Sequence, residues 1–334
     1  MKIKVTAAVL VWLGTHCGHT QVASSLTLQR TIALPAGTGK FDHFAIDLQA
    51  NRLFIAATGN HSVEMLDLNT DKVTETITGL GKPHGLVWFP GRNRLYASDG
   101  AEGDLKIFAG SPLQQVKSIK LSEDADDMVY DAHSSLLYVG HGGTDQANPA
   151  RVAVIDTASQ TLIKELPVAT HPEGLEIDNA RHRVFVNVAG AAEVAVVDGA
   201  TQSFSTPWKI TRAKNNVPVA FDEQHNLLFV ACRTPGRLVV LDGDSGREVA
   251  DLPADAGGDD LFYDAELHRI YLIAGSGAVD VYETDANRNV HSLGVIPTSP
   301  GSKTGLLVPS HHTLYVGVVA TGGKEAEIRV YATR

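Results

Sequence analysis

One pattern recurs seven times along this chain of 334 residues: polar or charged residues followed at once by a short apolar run. Three of its copies are Phe41-Asp42-His43-Phe44-Ala45-Ile46-Asp47, Asp126-Asp127-Met128-Val129-Tyr130-Asp131 and Gly257-Gly258-Asp259-Asp260-Leu261-Phe262-Tyr263-Asp264. The other four begin at Pro83, Pro172, Asn216 and Lys303. A period of roughly 40–50 residues is the spacing of blade-like repeats. Copies arranged around an axis would bring their polar leading residues together, and the functional argument rests on that convergence.

Each repeat continues in the same way. A polar turn such as Gln49-Ala50-Asn51 leads to a second strand, as in Arg52-Leu53-Phe54-Ile55-Ala56, Arg183-Val184-Phe185-Val186 or Arg269-Ile270-Tyr271-Leu272. Its β-branched and aromatic content marks a half-buried strand. A third strand follows, as in Val152-Ala153-Val154-Ile155-Asp156. Its closing Asp is read as a turn residue whose carboxylate accepts from backbone amides ahead. A fourth, more polar strand, such as Lys72-Val73-Thr74-Glu75-Thr76-Ile77, suits an outer edge.

The ends decide how the ring closes. Residues 26–34 read as a fourth strand before any first strand has appeared, and the chain finishes on a third strand near Tyr331. The two partial ends combine into one blade. The expected fold is therefore all-β, a seven-bladed propeller of four-stranded blades spanning residues 25–334 as one domain. A hydrophobic share of 43% is enough to fill such a core, and no segment of helical period competes with this reading.

Residues 1–24 read as an export signal. Lys2 and Lys4 precede an apolar run over 5–13, too short to span a bilayer, and Val22-Ala23-Ser24 offers small residues for cleavage. The protein is expected to be exported, periplasmic or secreted. Cys232 is then the one remaining thiol of the mature chain and sits in an apolar strand, where packing is the expected role. A net charge of -10 without a block of Lys and Arg argues against nucleic acid as partner. No membrane span is expected in the mature chain, and the expected state is a monomer.

The repeated Pro or acid, Gly, apolar run, Asp and Leu-Tyr-Val pattern resembles the YVTN-repeat (YncE-like) β-propeller family over nearly all of the mature chain. Asp260-Leu261-Phe262-Tyr263-Asp264, Cys232-Arg233-Thr234-Pro235-Gly236-Arg237-Leu238 and Glu327-Ile328-Arg329-Val330-Tyr331 look like an exported bacterial branch of it. The resemblance implies the propeller fold. Related seven-bladed propellers include lactonases and metal-binding hydrolases, but a shared fold does not carry chemistry with it.

Aligning the copies gives a first ring of Asp42, His84, Asp126, Glu173, Val217, Asp259 and Lys303. The next position gives His43, Gly85, Asp127, Gly174, Pro218, Asp260 and Thr304, with Asn216 and His171 beside the first ring. Carboxylates crowded in one mouth need raised pKa values, a cation such as Lys303, or a bound metal. Asp42, Glu173, Asn216 and Asp259 suit Ca²⁺. His43 and His84 with Asp126 or Asp127 suit Zn²⁺ or another first-row ion.

The assigned metal ligands are His43, His84, Glu173 and Asp259. The assigned ligand-binding residues are Asp42, Asp126, Asn216, Arg233, Lys303 and His141. For Arg233 an inter-blade salt bridge competes with ligand binding, and for His171 a plain loop role is favoured. The leading expectation is a module binding a small molecule or metal ion at the axial mouth. The first alternative is a metal-assisted, lactonase-type hydrolase with Asp127, Asp260 or His43 as general base. The second is a scaffold for an envelope protein.

Overall fold

The computed structural model describes residues 25–34, 39–143 and 145–334. The expected export signal, residues 1–24, lies outside them, as does Thr144.

Seven antiparallel sheets follow one another in chain order, making a seven-bladed propeller. The innermost strands are Phe44–Asp47, Pro83–Phe89, Met128–Asp131, Pro172–Asp178, Lys214–Asp222, Gly258–Asp264 and Gly305–Val308, one for each of blades 1 to 7. Every innermost strand pairs with the strand after it through a tight turn. Asn51, Asn93, Ser135, His182, Asn226, His268 and His312 take positive φ in those seven turns. Asn and His tolerate that conformation better than branched residues, so the turn chemistry repeats with the blade.

Blade 7 closes the ring as the sequence implied. Leu26–Leu34 pairs antiparallel with Ala326–Thr333, so the start of the chain supplies the outer strand of its last blade. Blade 4 departs from the expected pattern. Its outer strand is split into Ser203–Phe204 and Trp208–Lys209, both paired to Glu193–Asp198. Pro207 has no amide hydrogen to donate, and the chain leaves the ladder around it.

The core is divided among the seams between blades. Each second strand places one aromatic in a seam: Phe54, Tyr96, Tyr138, Phe185, Phe229, Tyr271 and Tyr315, all buried. Trp88 packs on Phe54 with ring centroids 5.0 Å apart in the seam between blades 1 and 2. Fully burying such a side chain contributes about 2–3 kcal/mol, so the repeat is also a repeat of stabilisation. Cys232 lies in the seam between blades 4 and 5, and burial pushes its thiol up to about 12, as a packing role requires. The closing Asp residues of the third strands act in turns. Asp67 accepts from the Asn69 amide and Asp156 from the Ala158 amide.

Candidate functional site

Six of the seven blades deliver a polar leading residue to one mouth of the central channel, and blade 5 brings Val217 there with Arg233 of its second strand. In blades 2, 4, 5 and 6 the ladder shifts register at that point, between Pro83 and Leu86, Pro172 and Leu175, Asn216 and Val219, and Gly258 and Asp260. A bulge turns the side chains around it away from the regular alternation. Two glycines allow the blades to close there. A Cβ on Gly85 would lie 2.6 Å from the Asp126 carbonyl oxygen, and one on Gly174 would lie 2.6 Å from that of Val217.

A cavity of about 120 Å³ occupies the mouth. Its walls include Asp42, His43, His84, Asp126, Asp127 and Glu173 on one side and Arg233, Asp259 and Lys303 on the other. A second cavity of about 180 Å³ lies further along the channel and shares His43, Asp127, Gly174 and Asp259 with the first.

The acidic side is an arc of alternating carboxylates and imidazoles. His43 Nδ1 donates to Asp260 Oδ1 at 2.8 Å. Its Nε2 faces Asp42 Oδ1 at 3.7 Å and Asp127 Oδ1 at 4.0 Å. Asp42 Oδ2 accepts from His84 Nδ1 at 2.5 Å, and the same nitrogen lies 3.4 Å from Asp126 Oδ1. Asp126 Oδ2 is 3.4 Å from His171 Nε2, whose Nδ1 donates to the Gly142 carbonyl at 2.6 Å. Backbone amides hold the carboxylates next to the arc. Asp260 accepts from Gly305 at 2.6 Å, and Asp127 accepts from Leu175 and Met128, each at 2.8 Å.

The charges follow from this geometry. Burial by itself would lower the His43 pKa, but Asp260, Asp127 and Asp42 outweigh it and hold the imidazole well above its ordinary value. Burial likewise opposes protonation of His171, yet its bond to Asp126 raises it to about 9. Burial would raise Asp126, but His84 and His171 hold it below the usual carboxylate range. Asp127 is pushed up to about 6 by burial, against the pull of His43. Burial, with Asp126 nearby, also raises Glu173. The crowding of carboxylates anticipated from the ring alignment is therefore relieved largely by imidazolium groups from neighbouring blades.

The other side of the mouth is an ion-pair knot. Arg233 and Lys303 both donate to Asp259, each to a different oxygen. Arg233 thus makes the inter-blade salt bridge weighed for it and lines the cavity as well.

Of the residues assigned from the sequence, Asp42, Asp126, Arg233 and Lys303 line the mouth, as do His43, His84, Glu173 and Asp259. Their availability to a metal differs. His84 engages Asp42 through Nδ1, and its ring edge at Nε2 faces Gly100, so it supports Asp42 from behind. Asp259 is held by two cations. Two assigned residues lie outside both cavity linings. Asn216 is buried in the seam, donating to Asn187 Oδ1 at 2.9 Å and to the Glu193 carbonyl at 2.8 Å. His141 is fully buried and accepts at Nδ1 from the Ser122 amide.

Sequence reasoning underrated His171, which its proximity to Glu173 in the alignment pointed to. It missed Glu176, a lone acid within the apolar Leu175-Glu176-Ile177 stretch, which faces the deeper cavity. Among the described residues, the three-donor groups close enough to share one ion are Asp42, His43 and Asp126, and Asp126, His171 and Glu173.

No protein-family model matches the chain. It is similar to the seven-bladed beta-propeller protein Rv1057 of Mycobacterium tuberculosis (strain ATCC 25618 / H37Rv), at 24% identity over 144 residues. That match covers 42% of this chain and 36% of the relative, so it spans about a third of the relative's length. A chain of Kuenenia stuttgartiensis hydrazine synthase superposes with a TM-score of 0.73 at 19% identity, over 85% of this chain and 92% of that one. A chain of the mitotic checkpoint complex gives a TM-score of 0.75 at 13% identity, over 99% of both. At these identities the likeness is one of fold, and the chain is a seven-bladed β-propeller.

Proposed function

We propose that this propeller is a binding module that holds a divalent cation at its axial mouth, with His43 Nε2, Asp42 and Asp126 as protein donors. The observation that carries the reading is the orientation of His43. Its Nδ1 is committed to Asp260, which fixes the ring and turns Nε2 towards the carboxylates. Carboxylate-supported imidazoles of this kind are characteristic of metal ligands. His171 repeats the arrangement, with Nδ1 on a carbonyl and Nε2 towards Asp126. His43 Nε2 and Asp42 Oδ1 are 3.7 Å apart, and the donor atoms of Asp42, His43 and Asp126 all lie within 4.8 Å of one another, so modest closing movements would bring them to an ion at about 2.0–2.2 Å. An imidazole among carboxylates favours Zn²⁺ or a similar first-row ion over Ca²⁺.

The test is the metal content of protein purified without an affinity tag, repeated on Asp126→Asn and His43→Ala. Near-stoichiometric metal lost in both variants supports the reading. Metal-free protein whose thermal midpoint ignores added Zn²⁺ and Ca²⁺ overturns it.

One observation favours a hydrolytic second reading. Asp127, raised to about 6 and facing the mouth beside His43, has the protonation range of a general base near neutrality. Turnover of a lactone panel, abolished by chelator and by Asp127→Asn, would establish it. We further propose, from residues 1–24 and the repeat pattern, that the chain is an exported YVTN-repeat propeller.

A further inference from the structure

Asp126, which leads blade 3, stands between two imidazoles. Its Oδ1 lies 3.4 Å from His84 Nδ1, the nitrogen that also bonds Asp42, and its Oδ2 lies 3.4 Å from His171 Nε2 in the segment leading blade 4. His171 is oriented from outside this group. Its Nδ1 donates to the Gly142 carbonyl at 2.6 Å, which leaves Nε2 facing Asp126. Gly143 lets that loop lie against His171, since a Cβ there would fall 2.6 Å from the His171 amide nitrogen. An imidazole tethered at one nitrogen by a backbone carbonyl presents the other to a ligand in a fixed direction.

Glu173, two residues on, lines the mouth cavity. Its half-buried carboxylate makes neither a hydrogen bond nor an ion pair among the described residues. The nearby cations are engaged elsewhere. Arg233, which acts on Glu173 across the cavity, is bound to Asp259 and the Gly258 carbonyl, and Lys82 is bound to Asp124. A partly desolvated carboxylate without a partner favours a cation beside it. The donor atoms of Asp126, His171 and Glu173 all lie within 4.8 Å of one another, so His171 and Glu173 are close enough to share an ion although they do not bond each other.

We propose that the mouth holds a second divalent cation on Asp126, His171 Nε2 and Glu173, with Asp126 bridging it to the cation on Asp42 and His43. The pair rests on the cation reading for its first member. A carboxylate that offers one oxygen to each side can hold two ions about 3.5–4 Å apart. Asp42, Asp126, Asp127 and Glu173 all line the cavity, and together they balance two divalent charges when ionised. One imidazole in each donor set favours Zn²⁺ or a similar first-row ion at both. Glu173 is half-buried where Asp42 is buried. The second ion is therefore the more solvated and the weaker, and titration reads it better than the metal content of protein as purified.

Zn²⁺ titrated calorimetrically into the full chain, stripped with chelator and desalted, tests the proposal. The parent should take up two equivalents, in a tighter and a weaker phase. His171→Ala and Glu173→Gln should each lose the weaker phase alone, His43→Ala should lose the tighter one, and Asp126→Asn should lose both. A second equivalent that survives both His171→Ala and Glu173→Gln, or a folded Asp126→Asn variant that keeps either phase, would overturn the proposal. If Asp126→Asn does not fold, the electron paramagnetic resonance spectrum of the parent with Mn²⁺ decides the sharing: coupled ions support the bridge, and isolated ions overturn it. One equivalent in the parent, lost in His43→Ala, removes only the second ion and leaves the cation reading standing. One equivalent lost in His171→Ala and kept in His43→Ala removes the first reading and the bridged pair with it, and no uptake at all removes both.

Discussion

His43 of blade 1 donates to Asp260 of blade 6 at 2.8 Å, passing over the blade between them. Asp260 in turn accepts the Gly305 amide of that intervening blade. The two bonds together tie three blades at the mouth, and the first sets the direction of the imidazole. In metal-free protein, His43→Gln should cost about 1–3 kcal/mol, because the carboxylates around it lose their cation. The imidazole's folded pKa is raised, so its contribution is complete below about 6.5 and fades as pH rises through the folded value. Urea unfolding of parent and variant in chelator, across that range, should show the gap narrowing as pH rises.

Glu176 gives a prediction of the opposite kind. Burial is the first cause of its shift from 4.5 to about 7, followed by the charges of Asp127 and Glu223. A raised carboxyl stabilises the fold fully below its unfolded pKa and loses that contribution as pH climbs through the folded one. Glu176→Gln should therefore match the parent near pH 4.5. At pH 8 it should be more stable by about 2–3 kcal/mol. Equal stability at pH 8 would show that the carboxylate is solvated in the channel.

Lys106 and Asp99 form a buried pair at 2.9 Å in blade 2, away from the chemistry of the mouth. Asp99 also accepts the Gly81 and Lys82 amides, which fixes the loop entering the innermost strand of that blade. Lys106→Met should cost about 3–5 kcal/mol by leaving a fully buried carboxylate without its cation. The Lys106→Met/Asp99→Asn double variant should recover part of the loss. A double-mutant cycle on unfolding free energies measures the coupling.

Ring closure is testable at Ile32. It is buried beside Ile328 and Val330 in the seam that joins blade 7 to blade 1. Ile32→Ala should cost about 2–5 kcal/mol in thermal or urea unfolding. Removing residues 25–34 should go further, since it bares the edge of Ala326–Thr333, and aggregation on light scattering is the expected result.

The repeat, the blade count and the closing strand were all legible from the order of residues. Each depends on local signals that recur with a period: an aromatic at Phe54 and its six equivalents, a turn residue such as Asn51, an edge-like fourth strand. The mouth was legible only as a set of positions. Equivalent positions do not carry equivalent orientations, because the bulges at Pro83, Pro172, Asn216 and Gly258 turn side chains by amounts that no periodicity encodes. Tertiary structure alone decided that Asn216 and His141 turn into the packing, that Asp259 is held between Arg233 and Lys303, and that His171 joins the arc. Those outcomes depend on which side chain the neighbouring blade presents. Seam contacts are made between residues roughly 40 or more positions apart, and the His43–Asp260 bond spans 217. The sequence by itself determined the architecture, through local pattern. The partners at the mouth were decided only when the ring closed and charges from distant segments had to be neutralised against one another.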